Sequence, residues 1–474
     1  MFENKTFTKI VNSGQPTAEV IALSDFVVSI SLLPNASVYS VVLFAGGAQG
    51  IVWQMYNDHL DVLLLNDTPI YANELVILLQ DEIRIGVGKQ LLGRVINPLG
   101  KPLDGKGFTP TTSEAPYFRT APGFSERAMV EDPLESGVTL VDVLLPLVKG
   151  QRMAIMGDSK SGKTSFLLQA AINQARAGQI VVYVLISKSR NELTRLVDQF
   201  TEAQVMKDII LVVADTMEPL PVGFLAPLAG CAIGEYFWHN KQDVVVIYDD
   251  FSNHAKIYRE MALLLDENVG REAYPGDMFH VHSALLERAG KLSATNSTLT
   301  AFVAGSTPNN DLTGYESTSL ISMSDGQIVF DLNAQHEGIR PAINIELSVS
   351  RVGGRSNNII GQQIATNLLR ELGRYKTAQD YTRFADQTSE VSRLEILLGQ
   401  KIYEALHQQS DEFYTFTQQR LLIEAVLRSE NPEYLDVDKL KKRVKKITSA
   451  KPMNNDQLTE MAGMMLQEST ESIK

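Results

Sequence analysis

The chain has one cysteine, Cys231, among its 474 residues. It can form neither an internal disulfide nor a multi-cysteine metal site, so the sequence reads as one for a reducing compartment and the thiol as a small apolar filler. Positive charge is also in short supply, with 43 basic residues against 56 acidic ones and a formal charge of −13. That balance disfavours general attraction to nucleic acid or to an anionic lipid surface and leaves room only for local basic patches. The start, MFENKTFTKI, has neither the apolar run of a secretory signal nor the Arg/Ser-rich character of a transit peptide. No later stretch reads as an apolar run approaching ~18 residues, so the chain is expected to be soluble and to meet a membrane only through partners. Internal repeats and long low-complexity tracts are missing as well.

What is present is ordinary globular material, 44% hydrophobic and long enough for roughly two to four domains. From Thr17 to about Leu65, short β-branched runs such as AEVIALSDFVVSISLL, VYSVVLFA and DVLLL are separated by Gly, Asn, Pro and Asp, which predicts a small β-barrel or sandwich. A Gly/Pro/Asp-rich stretch, LLGRVINPLGKPLDGKG, then leads into apolar strands alternating with helix-like segments until about Asn357, the pattern of a parallel sheet covered by helices. From Asn358 onward, long periodic segments such as GQQIATNLLRELGRYKT predict a helical bundle. In it, KLKKRVKK, Lys439 to Lys446, reads as a solvated helix face in preference to a contact for an acidic partner.

GDSKSGKTS, Gly157 to Ser165, fits the pattern G-x-x-x-x-G-K-[ST]. At ordinary glycine usage its fixed positions match by chance in about one or two per cent of chains this long. The apolar run QRMAIM precedes it and the helically spaced KTSFLLQAAINQARAGQ follows, so the loop has the strand and helix that a phosphate cradle requires. Glycines let the backbone wrap closely around phosphate oxygens, and the loop amides and helix N-terminus attract negative charge. The candidate binding residues are therefore Gly157, Asp158, Ser159, Lys160, Ser161, Gly162, Lys163, Thr164 and Ser165. Lys163 would reach the terminal phosphates and Thr164 would place its hydroxyl on magnesium. The bland alternative is a glycine turn before a helix.

Binding a nucleotide and hydrolysing it need different residues. A magnesium site needs a second anchor, an acid at the end of a hydrophobic strand. DVVVIYDD, Asp243 to Asp250, offers Asp249 with Asp250 beside it, although either could instead cap the helix that begins near NHAKIYREMALLL. Hydrolysis further needs a carboxylate or amide that positions the attacking water, at the end of the strand next to the loop-bearing one. The strand IVVYVLI ends in Ser187, and Lys188 follows. An ammonium group accepts neither a proton nor a hydrogen bond. Glu192 is the only nearby acid, expected about one helical turn further on.

In SVSRVGG, Arg351 follows the apolar run AINIELSV. A guanidinium offered across a subunit boundary can stabilise a transferring phosphoryl group by ~10³ to 10⁵ in rate. A structural ion pair is the commoner use of an arginine, and spacing alone does not choose between the two.

Together these motifs resemble those of the alpha subunit of F-type ATP synthase, the mostly non-catalytic partner of the beta subunit. The similarity runs through LLGRVINPLGKPLDGKG, GDSKSGKTS, PLAGCAIGEYF, VVIYDDFSNHAKIYREMALLL, GREAYPGDMFHVHSALLERAGK, ISMSDGQI and GIRPAINIELSVSRVGG. GREAYPGD and IYDD are specific to alpha, and the catalytic glutamate of a beta subunit is missing. The resemblance implies three domains: an N-terminal β-barrel over residues 1–75, a central α/β RecA-type P-loop nucleotide-binding domain over 76–357, and a C-terminal α-helical bundle over 358–474. It also implies a hetero-hexameric ring in which alpha alternates with a catalytic beta-type subunit around a central-stalk gamma-type subunit. Such a ring sits on the cytoplasmic side of a bacterial cell membrane, peripheral through its complex, and its alpha sites bind ATP or ADP with Mg2+ without turning it over. On the same grounds Arg351 acts in trans as an arginine finger in the neighbouring beta site, while Arg340, Pro341 and Gln408 line the base pocket.

The sequence departs from that family at informative places. Ser159, Lys160 and Ser161 stand where the family usually has Arg, Gln and Thr, so phosphate cradling is expected to survive with Lys160 adding positive charge. Lys188 stands where alpha subunits usually have Gln, which makes the site look less catalytic still. The segment before the barrel is shorter than the one by which relatives engage a peripheral-stalk subunit, so that contact is in question. Phe384 to Ser389 replaces an acidic Asp-Leu-Asp loop facing the rotor, and the segment after Lys291 is shorter than usual. The expectation is an alpha-type regulatory and structural subunit of a rotary ATP synthase or ATPase. Its rivals are an alpha-like subunit of a specialised rotary-type ATPase without a proton channel, and an autonomous hexameric P-loop motor, against which Lys188 and the charge of −13 both argue.

Overall fold

The computed structural model describes the backbone of residues 5–384, 390–447 and 455–470. Apart from the backbone of Phe384, the rotor-facing departure expected at Phe384 to Ser389 lies outside the described residues. The chain forms two compact units, Met1–Arg127 with Gly178–Val303, and Ala128–Ala177 with Ala304–Lys474.

The first unit opens with an amphipathic helix, Lys5–Asn12, whose Phe7 packs with Leu43 and Ile77. Six antiparallel strands then close a barrel: β1 (Thr17–Ser24), β2 (Val27–Ser31), β3 (Val41–Phe44), β4 (Gln49–Met55), β5 (His59–Leu64) and β6 (Leu75–Gln80), in the spatial order β1-β2-β5-β4-β3-β6. Inward-facing Val28, Ile30, Val42, Phe44, Val52, Leu60, Val62 and Val76 fill the interior. Each such side chain contributes about 1.5–3 kcal/mol on leaving water. β6 pairs with both β1 and β3, so the barrel has no exposed edge, and it runs past the boundary expected at residue 75.

The same unit carries parallel strands in the spatial order Val95–Ile96, Ile209–Asp215, Ile180–Lys188, Val244–Asp249 and Thr298–Ser306, the last holding the unit boundary. Their runs IVVYVLI, IILVVA and VVVIY are continuous, not alternating, because both faces of a parallel sheet are covered.

The helix Leu220–His239 corrects the expectation that no apolar segment approaches membrane-spanning length. Its 20 residues are long and apolar enough by composition, yet 89% of the qualifying window is buried inside the protein. A Cβ on its Gly230 would fall 2.3 Å from Val184 Cγ2, so only glycine lets the helix lie this close to the strand Ile180–Lys188. Its Glu235 takes a bidentate pair of hydrogen bonds from Arg288 at 2.8 Å each, and Arg288 also donates to the Tyr117 carbonyl at 2.7 Å. Cys231 is buried on the same helix, where burial pushes its thiol up to about 12.

In the second unit the strand Arg152–Gly157 pairs in parallel with Gly326–Phe330, which in turn pairs antiparallel with Val349–Ser350. Helices Ile359–Phe384, Glu390–Leu406, Phe416–Leu427, Val437–Val444 and Asn455–Ser469 form the C-terminal bundle, with Leu421, Leu422, Val426, Leu440, Val444 and Leu458 buried. Val437, Leu440 and Val444 turn inward on the KLKKRVKK helix, while Lys439, Lys442, Lys445 and Lys446 are exposed. Just past the helix, Lys445 pairs with Glu412 at 2.7 Å.

Candidate nucleotide site

The strand Arg152–Gly157 delivers the glycine loop, and the helix Lys163–Arg176 leaves it. Gly157 has φ +157°, and a Cβ there would lie 2.7 Å from Ser161 Oγ and 2.8 Å from Phe330 Cβ. The first glycine of the motif is thus required by its surroundings. Asp158 braces the loop by accepting from the amides of Ser159 at 2.6 Å and Asn309 at 2.9 Å, and the Thr307 amide donates to the Gly157 carbonyl at 3.0 Å. Lys163 reaches back across its own loop to the carbonyls of Gly157 at 2.6 Å and Asp158 at 2.8 Å. Ser161 is 1% exposed and its Oγ has no hydrogen-bond partner among the described residues. A buried orphan hydroxyl is costly in a finished fold and is accounted for by an oxygen-rich ligand in the loop. Ser159, Lys160, Thr164 and Ser165 are exposed at the mouth.

Beside the loop lies a cavity of about 270 Å³, walled by Gly162, Ser165, Phe166, Phe330, Arg340, Pro341 and Gln408 among others. The structure therefore brings Arg340, Pro341 and Gln408 to the glycine loop from positions far along the chain. Gln408 does more than line a wall. Its Oε1 accepts from the Thr139 amide at 3.0 Å and hydroxyl at 3.1 Å, and its Nε2 donates to the carbonyls of Gly137 at 2.6 Å and Glu412 at 2.7 Å. Four hydrogen bonds saturate the amide, so Gln408 shapes the cavity and has no polar edge to spare for a base.

Asp249 and Lys188 lie in the first unit. Asp249 ends its strand with its side chain 4% exposed, accepting a hydrogen bond from the buried Tyr183 hydroxyl at 2.9 Å. Lys188 Nζ stands 3.6 Å from Asp249 Oδ1 and 3.9 Å from Asp250 Oδ2. Burial pulls the ammonium pKa down, but the charges of Asp249, Asp250 and Glu192 outweigh it and hold it above the ordinary lysine value. Asp250, not Asp249, caps the helix Phe251–Leu264, accepting from the Ser252 amide at 3.1 Å. Glu192 is committed to a reciprocal cap, its Oε2 accepting from the Ser189 amide at 3.0 Å and hydroxyl at 2.9 Å. Thr164 on an exposed first turn suits a metal ligand. Asp249 suits one poorly, because its carboxylate is already matched by an ammonium and a phenol. Tyr183, which reads in the sequence as one more strand residue, is the member of this cluster that pattern alone does not reveal.

Arg351 is exposed just after the strand Val349–Ser350. Its guanidinium donates to the carbonyls of Ser324 at 2.8 Å and Ile321 at 3.3 Å and to Gln327 Oε1 at 3.4 Å. No carboxylate pairs with it among the described residues, and nearby Asp325 is taken by Arg152 through bonds of 2.7 and 3.0 Å. The structural ion pair that the sequence left open for Arg351 is therefore not formed among the described residues.

A closed barrel, an α/β section with a glycine phosphate loop and a helical bundle define the chain as a barrel-bearing P-loop protein. Residues 137–350 match the ATP synthase alpha/beta family, nucleotide-binding domain. The chain is 39% identical over 390 residues to ATP synthase subunit alpha of Petrotoga mobilis, covering 82% of this chain and 77% of that protein. It is 37% identical over 400 residues to that of Dictyoglomus turgidum, covering 84% and 79%. With that of Neorickettsia sennetsu it shares 37% over 434 residues, covering 89% and 84%. The chain belongs to the ATP synthase alpha-subunit family.

Proposed function

We propose that this chain is the non-catalytic, regulatory nucleotide-binding subunit of a rotary F-type ATP synthase or ATPase. It forms a hetero-hexameric ring with catalytic beta-type subunits around a central-stalk gamma-type subunit, peripheral to the cytoplasmic side of a bacterial membrane through the complex. A peripheral-stalk subunit is a further partner on the family pattern. The observation that carries the non-catalytic reading is Lys188: the position that should polarise water holds an ammonium paired with Asp249, and Glu192 is tied to Ser189.

In this reading the loop Gly157 to Ser165 holds the phosphates of ATP or ADP through backbone amides, Lys163 and the Ser161 hydroxyl. The cavity bounded by Arg340, Pro341 and Gln408 receives the base. Thr164 and Asp249 are the groups that the family pattern assigns to magnesium, which when bound would neutralise phosphate charge. Arg351 serves a neighbouring beta site. Its charge meets no carboxylate among the described residues, and its anchoring carbonyls orient it without neutralising it. Such a guanidinium supplies ~10³ to 10⁵ in rate, or about 4 to 7 kcal/mol.

The purified chain alone is expected to hydrolyse ATP negligibly, and robust turnover that disappears on Lys163→Ala would overturn the reading. In a complex reconstituted with its beta-type partner, Arg351→Ala should leave nucleotide on this chain while turnover collapses about 10³-fold. Unchanged turnover would refute the role in trans.

A further inference from the structure

Not every lysine of the KLKKRVKK helix is solvated. Lys441 is half-buried, and it lines a cavity of about 1010 Å³ that the glycine loop does not border. The walls lie entirely in the second unit and come chiefly from the turn after the helix Leu332–His336, one face of Glu390–Leu406 and the start of Val437–Val444. A volume of that order receives an organic molecule, where the nearby base cavity of about 270 Å³ is much smaller.

Charge in this cavity is sorted by depth. Glu337, Glu404, Glu433 and Asp438 are exposed, so water satisfies them. Asp436 is committed to capping Val437–Val444, accepting from the Lys439 amide at 2.9 Å, and Lys401 is paired with Glu404 at 3.0 Å. Left over are Arg340 and Lys441, both half-buried and neither with a carboxylate within ion-pair distance among the described residues. Lys441 Nζ donates instead to the His407 carbonyl at 2.6 Å. Burial pulls its ammonium below the ordinary lysine value despite the attraction of Glu412 and Asp438. His407 is lowered too, by burial first and then by the charges of Lys441 and Arg340. Half-buried cations without a counter-ion are costly, and an anionic group beside them offsets that cost.

Much of the remaining wall is aromatic or apolar. Tyr375 and Tyr403 stand with ring centroids 5.5 Å apart, and Ile339, Leu406, Leu435 and Val437 complete it. One part of the wall is shared with the base cavity. Arg340 lines both cavities, and its carbonyl accepts at 2.9 Å from the amide of Gln408, the residue that follows His407.

We propose that this cavity is a second ligand site, for an organic anion whose charged head is held by Lys441 and Arg340 and whose aromatic body lies against Tyr375 and Tyr403. An anion there draws the Arg340 guanidinium toward itself and away from the base cavity, so the two sites weaken each other's occupancy. That coupling rests on the nucleotide-site reading above, whereas the anion site does not.

The probe is anilinonaphthalene sulfonate, an aromatic anion that fluoresces when sheltered from water, titrated into the full folded chain. Saturable binding is expected, and Lys441→Gln and Tyr403→Leu should each weaken it at least about tenfold. Absence of saturable binding, or an unchanged affinity in either folded variant, overturns the site. Phenylnaphthylamine, the same body without the sulfonate, should bind at least about tenfold more weakly, and equal affinity for the two dyes overturns the preference for an anion. Rising ADP should weaken dye binding to a plateau about fivefold or more above the starting Kd. An unchanged or lower dye Kd with ADP bound overturns the coupling and leaves the site standing, while weakening without a plateau means that dye and ADP share one site and overturns the proposal. A chain that binds no ADP fails the nucleotide reading and leaves the anion site to the dye titrations.

Discussion

The Arg351 guanidinium donates to the Ser324 carbonyl at 2.8 Å, just past the helix Tyr315–Met323, and is held there by acceptors that carry no full charge. The same group takes the Ile321 carbonyl and Gln327 Oε1, a spread of acceptors that suits a planar fork. Arg351→Lys keeps the charge but loses this geometry. Turnover of the assembled complex should fall at least about tenfold, with bound nucleotide on this chain unchanged. Comparing kcat with nucleotide stoichiometry checks this, and full activity in the lysine variant would show that charge alone suffices.

Gly157→Ala places a methyl group 2.7 Å from Ser161 Oγ and 2.8 Å from Phe330 Cβ, on a backbone at φ +157°. The loop must move, and the phosphate amides move with it. ADP affinity should weaken by about tenfold or more. Unchanged affinity, read by calorimetry, would mean that this loop is not the cradle.

Glu235 and Arg288 form a buried bidentate pair with side-chain exposures of 4% and 1%. Glu235→Gln leaves the guanidinium charge buried without its counter-ion. Stability to urea should drop by about 3–5 kcal/mol, and a Glu235→Leu, Arg288→Met double variant should recover much of that loss. The family-resembling segments PLAGCAIGEYF and SALLERAGK thus meet in one contact.

Two buried clusters, Glu135 with Asp142 and His254 with His282, should respond oppositely to pH. Burial raises Glu135 from 4.5 to about 7 and Asp142 from 3.8 to about 6. Their contribution is complete below the unfolded values and is lost as pH rises through about 6 to 7. His254 and His282 are buried side by side, Nδ1 to Nε2 at 3.0 Å. Because His254 Nε2 donates to the Phe224 carbonyl at 2.9 Å, the neutral pair requires His282 Nε2–H to donate to His254 Nδ1. Burial lowers His254 from 6.5 to about 4 and His282 well below its ordinary value, so their contribution is present above 6.5 and lost as pH falls. Hydrogen exchange corrected for intrinsic rates should show Thr139–Leu144 better protected at about pH 5 than at 8, and Phe251–Leu264 worse protected. Glu135→Gln should raise stability at about pH 8 by about 1–3 kcal/mol.

Local signals were the legible ones. The glycine loop, its flanking strand and helix, and Asp249 at a strand end are all set by neighbours in sequence, and the barrel showed in its β-branched runs. What stayed hidden depends on distant partners. Lys188 meets Asp249 only because Ile180–Lys188 and Val244–Asp249 lie side by side, and Arg351 finds its acceptors on Ile321, Ser324 and Gln327. The saturation of Gln408 needs Gly137, Thr139 and Glu412 folded around it. The apolar length of Leu220–His239 was masked by Pro221, Pro227 and its glycines, which break a run by eye but not the helix.

The pairing of Lys188 with Asp249 and Asp250 also bears on how such a chain can evolve. Lys188→Glu, the single change that would place an acid at this strand end, removes the cation and sets a third carboxylate against Asp249 and Asp250. With Glu192 bound to Ser189, the Tyr183 hydroxyl still donates to Asp249 Oδ2 at 2.9 Å, but a neutral donor does not replace the lost ammonium. Unless a divalent cation comes to be bound in the same step, the substitution is disfavoured at each carboxylate, and the pairing itself resists the change.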